Sequence, residues 1–101
     1  MRSYEMVLIL KPDLSDDQLK EEVDKVKGLI TKGGGQILHY EDWGKRKLAY
    51  AIRRQTKGSY HLFQFASDPQ ALAEVDRSLK LDEAVLRHMT VRMEEPKPQE
   101  A

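Results

Sequence analysis

Two rhythms of apolar residues succeed one another along this chain, and their order constrains its fold more tightly than any other feature. Over residues 4–10 apolar side chains alternate, with Tyr4, Met6, Leu8 and Leu10 on one face and Val7 and Ile9 on the other, until Lys11-Pro12-Asp13 stops the run. This predicts a strand apolar on nearly both sides. The rhythm then changes to spacings of four, three and four, through Leu19, Val23, Val26 and Ile30, which is one stripe of a helix. Ser15 and Gln18 form a capping box at its start, Leu14 and Leu19 occupy the staple positions, and Gly33-Gly34-Gly35 ends it.

Alternation returns over residues 36–52, one long strand interrupted near Gly44, where a bulge is expected. Gln55-Thr56-Lys57-Gly58 reads as a hairpin turn into a strand over residues 59–66. Asp68 caps a second helix with Pro69 in its first turn and Leu72, Val75 and Leu79 as its stripe. Residues 86–93 alternate again as a last strand. The order β-α-β-β-α-β predicts an α+β fold of the ferredoxin-like, split β-α-β kind: a four-stranded antiparallel sheet with two helices on one face. Residues 1–93 are read as one domain, and residues 94–101, with Pro96 and Pro98 among polar residues, as a disordered tail.

Composition removes several kinds of chemistry. There is no cysteine, and His39, His61 and His88 are too widely spaced to form a local metal motif, so no metal and no cofactor are expected. No secretory signal is read at the start, and no apolar run approaches the roughly 20 residues that span a bilayer. The expected location is the cytoplasm, away from membranes. Seventeen basic and seventeen acidic residues cancel, yet they are unevenly placed. Between Leu10 and Leu29 the acids Asp13, Asp16, Asp17, Glu21, Glu22 and Asp24 dominate. From Trp43 to Gly58 there are Lys45, Arg46, Lys47, Arg53, Arg54 and Lys57 and no acid.

That second stretch is the candidate site. Plain alternation puts Trp43, Lys45 and Lys47 on one face and Arg46, Leu48, Tyr50 and Ile52 on the other, a cationic ribbon beside an aromatic ring. Such a ribbon can follow a phosphate backbone while Trp43 stacks on a base or ribose. The bland reading is a solvated strand whose lysines protect an edge. Arg2 at the chain start and Arg87 and Arg92 around the last strand are further candidates, each of which can equally pair with a carboxylate. Glu41 and Asp42, adjacent on a strand, point to opposite faces and make a poor catalytic pair. His39 and His61 are expected near one another across the hairpin, with no nucleophile placed to use them.

Gly44-Lys45-Arg46-Lys47-Leu48-Ala49-Tyr50-Ala51-Ile52-Arg53 resembles the signature segment of the bacterial small-subunit ribosomal protein six family. Arg2-Ser3-Tyr4-Glu5, Lys11-Pro12-Asp13, Glu41-Asp42-Trp43-Gly44 and Ala84-Val85-Leu86-Arg87 resemble it in order and spacing, so the likeness covers about residues 2–93. Ala51 stands where the family often has proline. The resemblance implies the same fold, no enzymatic activity, and a place in the ribosome's small subunit, bound to the central domain of small-subunit ribosomal RNA jointly with ribosomal protein eighteen. Its signature cations here are Lys45, Arg46, Lys47 and Arg53. Val7 and Ile9, on the face of the sheet away from the helices, are the candidate contacts for the protein partner.

Other uses of this element order fit less well. An RNA-recognition module shares it, but after Lys57-Gly58 the residues Ser59, Tyr60, His61, Leu62, Phe63 and Gln64 lack its aromatic platform, which directs RNA to the hairpin and strand edges. A small phosphatase of the acylphosphatase pattern needs an Asn, and the chain has none. The alternative left open is a regulatory domain that binds a small molecule such as an amino acid.

Overall fold

The chain folds in the order β1 (Arg2–Leu10), α1 (Asp16–Lys32), β2 (Gln36–Ile52), β3 (Gln55–Ser67), α2 (Pro69–Leu81) and β4 (Val85–Arg92). The structure, a computed structural model, describes residues 1–93; the tail expected to be disordered, residues 94–101, lies outside them. All neighbouring strands are antiparallel and the sheet order is β2-β3-β1-β4, the expected split β-α-β arrangement.

The alternation in β1 explains its central place. Tyr4, Met6, Leu8 and Leu10 point to the helices and pack with Phe63, Phe65, Val26 and Leu79 in the main core. Met6, Leu8, Leu10, Phe63 and Phe65 are fully buried, each worth about 1.5–3 kcal/mol of apolar transfer. The other alternation contributes Ile9 to a second, smaller cluster with Leu48 and Leu86 on the open face of the sheet.

The first helix starts as its sequence dictates: Ser15 Oγ accepts from the Gln18 backbone N–H at 3.1 Å, and the Ser15 N–H donates to Gln18 Oε1 at 2.9 Å. The second differs. Asp68 occupies the N-cap position, but its side chain makes no capping bond. Pro69 has no N–H to satisfy, and the Asp68 carbonyl accepts from Leu72 N–H at 3.0 Å, so the helix begins without the carboxylate.

The hairpin turn also lies elsewhere than expected. Ile52 pairs with Gln55, leaving Arg53 and Arg54 as a two-residue loop with φ of 50° and 68°, and Gln55 to Gly58 belongs to β3. A two-residue loop matching the twist of the sheet needs left-handed backbone at both positions, usually supplied by Asn-Gly. Here two arginines adopt it, at about 1 kcal/mol each. Gly58 serves another purpose: a Cβ there would stand 2.4 Å from Ile9 Cγ2 and 3.3 Å from the Leu10 carbonyl oxygen.

Beyond Gly58 the hairpin leans across the open face. Leu48 packs on Ile9 and Leu86, the Arg87 guanidinium on β4 donates to Tyr50 Oη, and Arg53 Nη1 donates to the Glu83 carbonyl at 3.3 Å. A register shift between Lys47 and Ile52 accompanies the bend. A second irregularity, opposite Ile9 and Leu10, lets Val85 enter the main core while its neighbour Leu86 faces the small cluster.

Candidate nucleic-acid interface

The strand β2 forms one edge of the sheet, and its cations are displayed in two directions. Lys45 and Lys47 lie opposite Ser59 and Lys57, on the helix side, whereas Arg46 lies opposite Gly58 on the open side. Lys47 and Lys57 are direct cross-strand partners and both are exposed. Like charges so placed repel, and an anion between them removes the repulsion. Among the described residues, none of Lys45, Arg46, Lys47, Arg53, Arg54 and Lys57 is in an ion pair. Among the described residues the hairpin thus carries six cations outside any ion pair, although basic and acidic residues balance over the chain.

Trp43 stands apart from the lysines with which plain alternation grouped it. The ladder shifts register between Asp42 and Gly44, and Gly44 takes a left-handed φ of 79° that suits the bulge. The extra residue turns the Trp43 indole towards the side of Glu41 and Arg46. Trp43 Nε1 donates to Glu41 Oε1 at 2.7 Å, and the Arg46 guanidinium lies 5.1 Å from the ring centroid while its Nε–H reaches the Trp43 carbonyl. His39 Nε2 meets the other Glu41 oxygen at 2.7 Å. The Trp43 N–H, and then His39, hold the Glu41 carboxyl below its ordinary range. What results is an aromatic ring fixed in orientation and backed by a cation.

The remaining candidate cations divide into two groups. Arg87 lies opposite Ile9 on the open face and is tied to the hairpin through Tyr50. Arg2 lies opposite Ser67 and Arg92 opposite Tyr4, at the far end of β1, about 25 Å from its hairpin end at 3.3 Å per residue. Arg92 also faces the helix side, so Arg87 and Arg92 do not act together.

On the open face Val7 is half-buried, and Ile9 is only 8% exposed because Leu48 and Leu86 cover it. Above them is a groove of about 230 Å³, walled by Leu48, Tyr50, Tyr60, Arg87 and Met89. Tyr50 is 61%, Met89 51% and Val91 52% exposed, an uncovered apolar area beside the cations. Sequence reasoning singled out Val7 and Ile9 and missed Tyr50, Met89 and Val91; the alternation of β4 carries the last two once its bulge is known.

The histidines do not meet. His39 lies opposite Gln64 on the open face and His61 opposite Asp42 on the helix side. His61 is buried, its Nδ1 2.7 Å from Tyr40 Oη and its Nε2 2.8 Å from Ser59 Oγ, and burial pushes its pKa down. His88 contacts Asp76 of α2 at 3.1 Å. Among the described residues no group of three or more His, Cys, Asp or Glu could hold a metal ion, and no helix is long and apolar enough to cross a membrane.

Residues 3–92 match the family model for ribosomal protein S6. The chain is 43% identical over 95 residues to the small ribosomal subunit protein bS6 of Thermoanaerobacter pseudethanolicus, covering 94% of this chain and 100% of that one. It is 43% identical over 94 residues to bS6 of Phocaeicola vulgatus, covering 93% of this chain and 82% of the relative. The crystal structure of 30S ribosomal protein S6 from Thermotoga maritima superposes with a TM-score of 0.87 at 30% identity, over 91% of this chain and 87% of that one. The C-terminal domain of the MgtC protein from Mycobacterium tuberculosis, at a TM-score of 0.57 and 10% identity, shares the fold alone. By family model, relatives and superposed structure together, the chain belongs to the ribosomal protein S6 family, structural proteins of the small ribosomal subunit and not enzymes.

Proposed function

We propose that this chain binds the central domain of small-subunit ribosomal RNA through the β2–β3 hairpin, in the cytoplasm, and does so together with ribosomal protein eighteen. The observation that carries the reading is the hairpin's set of unpaired cations, with Lys47 held opposite Lys57 and neither of them in an ion pair among the described residues. Phosphate contacts supply most of the affinity of such interfaces, and a fixed ring such as Trp43 can stack on an unpaired base. The groove walled by Tyr50 and Met89, with Val7 at its margin, is the surface the partner protein covers. An amino-acid ligand suits that groove poorly, since among the described residues no carboxylate lines it to hold an ammonium group.

A formal net charge of zero gives the chain little long-range attraction for RNA, so its own grip is weak and the partner strengthens it. Filter binding of a central-domain RNA fragment at fixed salt, with and without ribosomal protein eighteen, tests this. The expected result is an affinity at least about tenfold higher with the partner, a coupling of about 1.4 kcal/mol, with RNA tightening the protein pair by the same factor. Equal affinity in both conditions refutes the joint binding.

A further inference from the structure

The tip of the hairpin is built from residues ill suited to its backbone. Arg53 and Arg54 both hold left-handed φ, at 50° and 68°, in a two-residue turn where Asn-Gly relieves the crowding that a Cβ suffers. Nothing in the turn's packing accounts for the choice at the second position. Arg54 is exposed and, among the described residues, its side chain makes no hydrogen bond and no ion pair. Arg53 is different: its guanidinium donates to the Glu83 carbonyl at 3.3 Å and so fixes the tip against the loop between α2 and β4. The two arginines therefore have separate tasks, one holding the turn down and the other left free at its apex. Residues kept in costly backbone conformations concentrate where a side chain is needed for binding.

We propose that the Arg53–Arg54 turn is a phosphate-binding tip. Arg53 is its positioning residue, Arg54 contacts the RNA backbone, and a more stable turn has been passed over to keep that cation in place. The proposal rests on the RNA-binding reading above and goes beyond it in assigning one contact and its conformational cost. It extends the cationic surface from Lys47 and Lys57 over the bent hairpin towards the α2–β4 loop, so that RNA tracks across the hairpin end of the sheet.

The test compares Arg54→Gly and Arg54→Lys with the unaltered chain in thermal unfolding and in filter binding of the central-domain RNA fragment across a salt series. Arg54→Gly removes the Cβ and the charge but leaves the Arg53 contact intact. It is expected to raise Tm by about 4 °C or more and to weaken RNA binding several-fold, with the slope of log K against log salt shallower by about 1. Arg54→Lys keeps charge and Cβ, so its Tm stays put and it retains most of the affinity. Unchanged affinity and salt slope in Arg54→Gly overturn the phosphate contact, and an unchanged or lower Tm overturns the conformational argument. A Lys45→Ser, Arg46→Ser, Lys47→Ser variant measured alongside separates the two levels. If it loses affinity while Arg54→Gly does not, the tip proposal alone fails; if neither does, the RNA reading of the hairpin fails with it.

Discussion

Replacing Gly58 by Ala should unfasten the hairpin from the sheet. The added Cβ would sit 2.4 Å from Ile9 Cγ2, far inside contact distance, and 3.3 Å from the Leu10 carbonyl oxygen, with Leu48 Cδ2 at 3.5 Å. Ile9 is β-branched with a stiff χ1 and is itself covered by Leu48 and Leu86, so it cannot simply swing aside. The Leu10 oxygen is backbone in a paired strand and cannot yield either. The strain must be relieved by lifting the hairpin, which loosens the small cluster, and such overpacking costs about 1–3 kcal/mol. For a chain of this size that is a fall in Tm of roughly 4 to 20 °C. Thermal and urea unfolding followed by far-UV circular dichroism and by the fluorescence of Trp43, the only tryptophan, measure it. Gly28→Ala is the control: it lies in α1 with nothing within 4 Å of its would-be Cβ and should stabilise by about 0.5–1 kcal/mol. If Gly58→Ala behaves like Gly28→Ala, the close packing of the hairpin on β1 is wrong.

Leu8→Ala and Val26→Ala, both at fully buried positions where β1 meets α1, should each destabilise by about 1–5 kcal/mol in urea unfolding, and a loss below about 0.5 kcal/mol at both contradicts the core described. A pH dependence should come from Glu22, whose carboxyl is pushed up to about 7 by burial and by Asp82, itself held by Lys25 at 3.0 Å. The folded chain then keeps this proton up to about pH 7 while the unfolded chain releases it near 4.5, so the contribution is complete below 4.5 and lost as pH rises through 7. Glu22→Gln should flatten that part of the stability profile, and an unaltered slope between pH 4.5 and 7 counts against the buried carboxyl.

Elements whose residues satisfy local chemistry were legible in the sequence. The Ser15–Gln18 box, the stripe Val23, Val26 and Ile30, and the double-sided alternation of β1 each need only their near neighbours, and each stands in the structure as read. The departures arise where distant residues decide. Gly58 looked like a turn glycine, but its role is set by Ile9, in another strand. The true turn was hidden because arginine gives no sign that it will accept left-handed backbone. Plain alternation gives Trp43 the wrong companions because one bulged residue reverses all subsequent alternation, and the sequence marks a bulge only by Gly44. The cations themselves were plain from composition; which face each occupies, and that Arg2 and Arg92 lie at the other end of β1 from the hairpin end, required the register.

The central claim is that the hairpin's unpaired cations hold RNA, and the Lys45→Ser, Arg46→Ser, Lys47→Ser variant tests it most directly. These side chains are exposed and in no ion pair among the described residues, so unfolding free energy should change by no more than about 0.5 kcal/mol. Binding of the central-domain RNA fragment, titrated from low to physiological salt in the presence of ribosomal protein eighteen, should weaken by at least about tenfold. Its log–log salt slope should fall by about two or more, as expected when several phosphate contacts are removed. Affinity and slope equal to those of the unaltered chain, with the fold intact, would contradict the account.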